Sequence, residues 1–274
     1  MMKFTKNILL FFLFIYFSGF SSFNVVQHSN FGNYIPKEMQ IKEDITYVVK
    51  FGFIRLGEVR LLILDKTEKG GDIIYKTKAY IDSYSGIPFI SIHQVYESSF
   101  NNNQYSNYFR ATEKEKNYIK FTEYFFEYNK NKILIKKGKF NPFQMWTDST
   151  AKISKKFQDG LSLFYYARLN TGIPKSVSLP CFVTEKFETT VINFYNNIEK
   201  VEIDAIDYNI ACLKLDGYTT FESIYGLTGD FEGWFTNDKY AVPIIAKMKV
   251  YVGNVTLELK QWRKKDWKPP KFNL

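Results

Sequence analysis

The sequence contains few residues of the types that bind metals or form disulfides. It has two histidines, His28 and His93, and two cysteines among 274 residues. Two histidines are too few for a three-histidine zinc site, and we expect no metal or other cofactor. The motifs G-x-G-x-x-G, the P-loop and G-x-S-x-G are also missing. The sequence therefore lacks the usual signatures of nucleotide binding and serine hydrolysis.

Long apolar runs are missing everywhere except near the N-terminus. There, Lys3 and Lys6 precede an unbroken apolar run at residues 8–17, and small residues follow at positions 18–22. A run of ten is shorter than the roughly 20 residues of a membrane-spanning helix. We interpret residues 1–22 as a cleaved signal peptide, with an uncleaved anchor as the alternative. The mature chain is expected in the periplasm or cell envelope, and not as an integral membrane protein. No cysteine follows the run, so no lipid-attachment site is indicated.

Basic residues outnumber acidic ones, 37 to 28, which gives a net charge of +9. An exported basic protein meets anionic lipid headgroups and envelope polymers, so we expect no nucleic acid partner. The expected partners are a lipid or amphipathic ligand, an anionic envelope surface, or an envelope protein. The alternative is that the lysines only solvate the outward faces of strands.

Aromatic residues are abundant, with 27 Phe and 20 Tyr. Such residues favour β-strands, and most of the chain alternates with period two. The clearest case is residues 244–252, where Ile244, Ala246 and Met248 share one face. About fifteen short strands are too many for a flat open sheet, which curls beyond roughly ten strands. We therefore predict a mainly β fold over residues 41–262, a single domain built as a large curved antiparallel sheet or incomplete barrel.

One segment near residues 159–170 has helical periodicity. Asp159 can cap it, and Gly172 followed by Pro174 ends it. Apolar residues occur on all its sides, which is typical of a buried helix. We predict a short buried helix here, with an apolar groove between it and the sheet. Complete filling of that groove by Phe and Tyr side chains is the alternative.

Two pairs of residues are candidates for chemistry. Glu123 and Glu127 share one face of a predicted strand beside phenylalanines, as paired carboxylates do in glycosidases, although an exposed strand face has the same pattern. Cys181 and Cys212 are the only thiols. In an exported chain they form a possible disulfide, with two free buried cysteines as the alternative. We assign no catalytic residue.

The last twelve residues, 263–274, form a basic C-terminal tail. Pro269 and Pro270 prevent a regular helix or strand, and Trp267, with Trp262 just before the tail, is interleaved with cations. Tryptophan prefers membrane interfaces, and cations favour anionic headgroups. We interpret the tail as a possible surface tether, with an ordinary solvated tail as the alternative. The residues concerned are Arg263, Lys264, Lys265, Trp267, Lys268 and Lys271.

The segment 233–243, Gly-Trp-Phe-Thr-Asn-Asp-Lys-Tyr-Ala-Val-Pro, resembles the closing signature of a family of exported bacterial proteins, domain of unknown function 3108. Trp234, Asp238 and Pro243 match that pattern. The segment 158–168, which ends at Arg168, and Cys212 within residues 210–215 are similar to further family features. The resemblance extends over roughly residues 41–262. It implies export and a mainly antiparallel, curved sheet, and it supplies no catalytic or binding residue.

Three functions fit these observations. The first is a non-enzymatic envelope protein that binds an apolar or amphipathic ligand in a curved, aromatic-rich sheet. The second is a structural or assembly factor of the bacterial envelope that acts through protein partners. The third, least supported, is a glycan-processing hydrolase.

Overall fold

Alternating residues along most of the chain do form strands, and these strands make one antiparallel sheet. A computed structural model describes residues 35–87, 91–221, 228–249 and 253–273. Its fourteen strands lie in the order β8-β7-β6-β5-β4-β3-β2-β1-β14-β13-β12-β11-β10-β9. Eight strands precede the helix α1 and six follow it. The predicted signal peptide lies outside the described residues.

The strands and the helix have the following bounds. Before the helix come β1 Asp44–Phe51, β2 Ile54–Lys69, β3 Asp72–Ser83, β4 His93–Asn101, β5 Ser106–Lys114, β6 Ile119–Glu127, β7 Lys132–Phe140 and β8 Gln144–Lys152. Then come α1 Ser162–Asn170, β9 Lys175–Val183, β10 Lys186–Ile203, β11 Ile206–Thr219, β12 Gly229–Thr236, β13 Pro243–Lys249 and β14 Asn254–Arg263.

The sheet curls so far that its edge strand β9 contacts β6, a strand from the other half of the sheet. Phe182 of the edge strand β9 packs against Tyr124 and Phe126 of β6, with ring centroids 5.0 and 6.4 Å apart. The Tyr124 hydroxyl also donates to Glu185 in the turn after β9, at 2.6 Å. The backbones of β8 and β9 are not paired with each other. The fold is therefore an incomplete barrel, as the sequence predicts, in which side chains bridge the gap.

The helix α1 lies against the concave face of the sheet, as predicted. Tyr165 is 1% exposed and stacks on Phe100 of β4 with ring centroids 5.5 Å apart. Ala167, on another side of the helix, belongs to a second cluster with residues of β10 to β12. Because apolar residues occur all round, the helix joins two parts of the core. Within the described ranges, no helix is long and apolar enough to cross a bilayer.

One strand of the sheet differs from the sequence expectation, and one hairpin changes the outline of the sheet. The strand β8 is missing from the predicted strands because both of its faces are mostly exposed, which removes the alternation signal. The hairpin of β10 and β11 is long, with strands of 18 and 14 residues, and β10 carries an irregularity between Phe194 and Ile198. Beyond it, Asp204 at the hairpin tip reaches Lys50 of β1 at 2.8 Å. The hairpin therefore folds back over neighbouring strands.

Candidate functional site

The antiparallel strand order gives the sheet two different ends. The turns β1–β2, β5–β6 and β7–β8 lie at one end, which we name the turn end. The start of β1, the turn β12–β13 and the segment after β14 lie at the other. The segment leading into α1 also follows β8 at that end, which we name the helix end.

The turn end exposes phenylalanine. The three most exposed large apolar side chains in the described part of the chain are Phe53 (96%), Phe143 (64%) and Phe187 (54%). Phe53 lies in the turn β1–β2 and Phe143 in the turn β7–β8. Phe187, the second residue of β10, instead packs against Phe157 in the segment leading into α1, with ring centroids 5.3 Å apart, so it does not belong to the turn end. Isolated exposed apolar residues are common, but two such large side chains in turns at the same end of a sheet favour a binding surface at that end.

The exposed ring of Phe143 belongs to a group of aromatic side chains around the turn β7–β8, which we name the aromatic corner. It consists of Tyr118, Phe121, Phe140, Phe143 and Trp146. The Phe143 ring lies 6.2 Å from Phe121 and 6.1 Å from Phe140, and Trp146 meets Tyr118 edge-on at 6.1 Å. The ammonium of Lys139 lies 5.5 Å from the Tyr118 ring centroid. An apolar surface beside a cation suits an amphipathic, anionic partner.

The helix end is closed by a buried polar network around Asp159. Its Oδ1 accepts hydrogen bonds from the backbone N–H groups of Leu161 and Ser162 at 2.7 and 2.8 Å, so Asp159 caps the helix as predicted. Its Oδ2 accepts from the Ser98 hydroxyl at 2.7 Å. Burial raises the pKa of Asp159, and these hydrogen bonds oppose the rise. With an exposure of 1%, Asp159 has no access to a substrate and serves the fold.

A buried ion cluster fixes the other end of α1. Arg168 donates from Nη2 to Oε2 of Glu43 at 2.8 Å and from Nε to the Tyr240 carbonyl at 2.8 Å. Lys264 donates to the same Glu43 oxygen at 2.9 Å. Burial would raise the pKa of Glu43, but Arg168 and Lys264 outweigh burial and lower it. Glu43 therefore stays ionised and joins the helix to the segment after β14.

Asp238 of the family-like signature is also structural. Its Oδ1 accepts from the backbone N–H groups of Tyr240 and Ala241 at 3.0 and 2.9 Å. Its Oδ2 accepts from the indole N–H of Trp267 at 2.7 Å. The carboxylate thus shapes the turn β12–β13 and holds the C-terminal segment. A short polar side chain in a turn commonly bonds the nearby backbone in this way.

Trp234 and Pro243, the other two signature residues, also have structural surroundings. The Trp234 indole donates to Glu199 at 2.7 Å, and Lys214 and Lys247 lie 5.3 and 5.0 Å from its ring centroid. Pro243 begins β13, where a missing N–H is tolerated, and its carbonyl accepts from Tyr47 at 3.1 Å. No residue of the signature is arranged for catalysis.

The C-terminal segment is docked at the helix end. Lys264 and Trp267 are buried, through the contacts described above. The backbone N–H of Ala211 in β11 donates to the Pro270 carbonyl at 2.9 Å, and Phe272 N–H donates to the Asn209 carbonyl at 2.8 Å. Of the predicted tether, the side chains that remain exposed are Arg263, Lys265, Lys268 and Lys271. The tether prediction is therefore confined to these four cations, which lie at the end opposite Phe53 and Phe143.

The possible disulfide is not formed, because Cys181 and Cys212 are both buried free thiols. Cys181 lies opposite Glu188 of β10, whereas Cys212 lies opposite Glu199 of the same strand. Eleven residues of strand, at about 3.3 Å each, separate them by far more than the roughly 7 Å limit between bridged Cα atoms. Burial raises the pKa of the Cys181 thiol to about 12, so it is unreactive at neutral pH.

The paired carboxylates do not form a glycosidase site. Arg110 donates from Nε to Glu123 at 2.8 Å, and Lys130 donates to Glu127 at 2.9 Å. Each carboxylate is thus held by its own cation, whereas a glycosidase directs both carboxyl groups at one glycosidic bond. His93 binds Asp82 at 2.9 Å. Among the described residues, no group of three His, Cys, Asp or Glu side chains could hold a metal ion.

Two cavities on the described surface lie away from the helix. One, of about 520 Å³, is lined by polar side chains such as Asn193, Asp216, Glu232 and Lys247. The other, of about 250 Å³, includes Glu58 and Tyr80. Residues of α1 line neither cavity. The contact between α1 and the sheet is packed with aromatic side chains, as the alternative to the predicted apolar groove expected.

Sequence reasoning missed the residues that define the turn end. Phe53 follows Gly52, and Phe143 follows Asn141 and Pro142, so each phenylalanine lies within a turn signal. A large apolar residue inside a turn was the feature of the sequence that could have indicated an exposed phenylalanine. Glu43 was missed because its partners Arg168 and Lys264 are distant in sequence.

The fold and the surface define a class of protein in which an open antiparallel sheet buries one helix and exposes apolar side chains in its turns. The chain belongs to the family described as protein of unknown function (DUF3108), whose model matches residues 46–260. Among solved structures, it is similar to a beta-barrel-like protein of domain of unknown function DUF1849 from Brucella abortus. That similarity has a TM-score of 0.50 at 10% identity and covers 83% of this chain and 99% of the other. At such identity only the fold is shared. No curated protein matches the chain.

Proposed function

We propose that the protein is exported to a cell envelope and binds an amphipathic partner, a lipid surface, through its turn end, without catalysing a reaction. The observation that carries the proposal is the placement of Phe53 and Phe143. They are the two most exposed large apolar side chains in the described residues, and both lie in turns at one end of the sheet.

The aromatic corner supports a lipid surface as the partner. Trp146 is 45% exposed and Met145 39%, so the apolar surface extends beyond Phe143. Tryptophan with adjacent lysine is typical of proteins that lie at a headgroup boundary, where an apolar body enters and a charge stays outside. Lys139 supplies that charge. Export rests on the interpretation of residues 1–22 as a signal peptide.

Vesicle cosedimentation tests the proposal. The mature protein is mixed with vesicles of phosphatidylethanolamine and phosphatidylglycerol, and separately with phosphatidylcholine. We expect binding to the first, reduced about tenfold or more by Phe53→Ser or Phe143→Ser, because burial of one Phe contributes about 2 kcal/mol. The matched control is Leu64→Ser, since Leu64 is 46% exposed but lies within β2, away from the turns.

The tail cations provide the competing outcome. A variant with Gln at Arg263, Lys265, Lys268 and Lys271 keeps the buried contacts of Lys264 and Trp267. If this variant loses binding while the two Phe variants keep it, the contact lies at the helix end. That result would overturn the turn-end proposal, as would wild-type protein that binds neither kind of vesicle.

A further inference from the structure

The two edges of the sheet differ in how they end. At β9 the chain covers its own edge, because Gln158 donates its N–H to the Pro180 carbonyl at 2.9 Å and its carbonyl accepts from Phe182 at 2.8 Å. At β8, the described residues supply no partner beyond β7. An uncovered edge strand is a template for another strand, and sheets usually protect such edges.

The direction of the free backbone groups in β8 follows from one hydrogen bond. The N–H of Ile153 donates to the Asn131 carbonyl at 2.9 Å, so Ile153 faces β7. Consecutive residues of a strand point their N–H and C=O groups to alternate sides. Asp148, Thr150 and Lys152 therefore direct these groups away from β7, toward solvent.

The side chains of Asp148, Thr150 and Lys152 are complementary in charge to the same three side chains of a second copy. Asp148 and Lys152 carry opposite charges at equal distances along the strand from Thr150. Neither forms an ion pair with another described residue, and both are exposed. If two copies of β8 pair antiparallel about Thr150, Asp148 lies opposite Lys152 of the partner, and the reverse. Opposite charges directly across an antiparallel pair stabilise it.

We propose that two copies of this chain associate through β8, antiparallel and centred on Thr150. In this register the three outward residues form the hydrogen-bonded pairs of the ladder, so backbone direction and charge select the same alignment. A register shifted to centre on Asp148 would oppose two carboxylates. The pairing continues the sheet from one copy into the next, and it leaves α1 and the turn end outside the contact.

Sedimentation velocity of the mature protein over a concentration series tests the pairing. We expect a concentration-dependent dimer, weakened at least tenfold by Asp148→Lys or by Lys152→Asp, since each variant opposes like charges. The double variant with both changes restores opposite charges and is expected to regain most of the affinity. A wild-type chain that stays monomeric up to roughly 100 μM would overturn the proposal.

A backbone variant makes the test independent of charge. Thr150→Pro removes an N–H that points away from β7, so the ladder within the chain keeps its bonds. We expect it to abolish the dimer while the circular dichroism spectrum and the thermal midpoint change little. Ser149→Pro is the matched control, because its N–H faces β7 and its loss lowers the thermal midpoint. A dimer that survives both Thr150→Pro and the single charge reversals would refute β8 as the contact.

Discussion

The helix end and the turn end of the same sheet differ in which side chains they bury and which they expose. At the helix end, buried charges and polar groups are paired, as for Glu43 with Arg168 and Asp238 with Trp267. At the turn end, Phe53 and Phe143 are exposed and the described turns carry no such network. Exposed apolar residues contribute little to folding, whereas buried ion pairs become costly when one partner is removed. The comparison separates an end that holds the fold from an end available for binding.

The largest expected effect comes from breaking the buried ion cluster. Arg168→Leu leaves Glu43 buried with Lys264 as its remaining cation, and we expect a loss of about 3 to 5 kcal/mol in the free energy of unfolding. Urea denaturation measures it. The control is Arg60→Leu, whose partner Asp44 is 2.7 Å away in an exposed pair and which should lose at most about 1 kcal/mol. Equal losses in the two variants would contradict the assignment.

Asp159 gives a smaller effect with a defined pH dependence. Asp159→Ala removes the helix cap and leaves Ser98 without its acceptor, so we expect a loss of about 1 to 3 kcal/mol. Because burial raises the pKa of Asp159 above its ordinary value of 3.8, its favourable contribution is present below that value. It is lost as pH rises through the folded-state pKa.

Asp159→Asn removes the ionisation and keeps an oxygen for the two backbone N–H groups. Relative to this variant, the wild type should lose stability as pH rises from about 4 and reach a constant difference at higher pH. Urea midpoints at several pH values measure it. A difference that is independent of pH would show that Asp159 does not titrate over this range.

The link between Asp238 and Trp267 should have a moderate effect. Trp267→Phe keeps the ring and removes the indole donor, which costs about 1 to 2 kcal/mol and lowers the thermal midpoint. Trp262→Phe is the control, since the Trp262 indole donates to the Trp267 carbonyl at a longer 3.3 Å. If the control loses as much stability, the signature carboxylate is not what holds the C-terminal segment.

The smallest effect on stability is expected at the turn end. Phe53→Ser changes a side chain that is 96% exposed, so the free energy of unfolding should stay within about 0.5 kcal/mol of wild type. The same urea experiment checks this. If Phe53→Ser lowers the free energy of unfolding as much as the helix-end variants do, the turn end also stabilises the fold, and the comparison of the two ends is wrong.

Much of the architecture could be predicted from local pattern. Alternation predicted an antiparallel, curved sheet, and the capping residue Asp159 with Gly172 predicted the helix near its observed bounds. The strand β8 escaped because neither of its faces is buried, so its residues carry no period-two signal. The free cysteines could not be decided from spacing, since the register of β10 determines how far apart they lie.

The candidate site was less accessible from the sequence. The tail cations and tryptophans have the composition of a surface tether, yet Lys264 and Trp267 are buried by Glu43 and Asp238. The local sequence shows which residues are neighbours in the chain. It does not show which residues a docked segment contacts in the fold. Neither partner belongs to the tail: Glu43 lies 221 positions from Lys264, and Asp238 lies 29 positions from Trp267.

The sequence by itself determined the class of fold, because alternation and a capped apolar helix are local properties that each strand and helix carries alone. It also determined the family through the signature around Asp238. Only the tertiary structure decided which carboxylates are buried with cations and which phenylalanines stay in solvent. Those outcomes depend on contacts between residues that are distant in the sequence, such as Glu43 with Arg168 for the buried ion cluster and Tyr124 with Phe182 for the curl of the sheet.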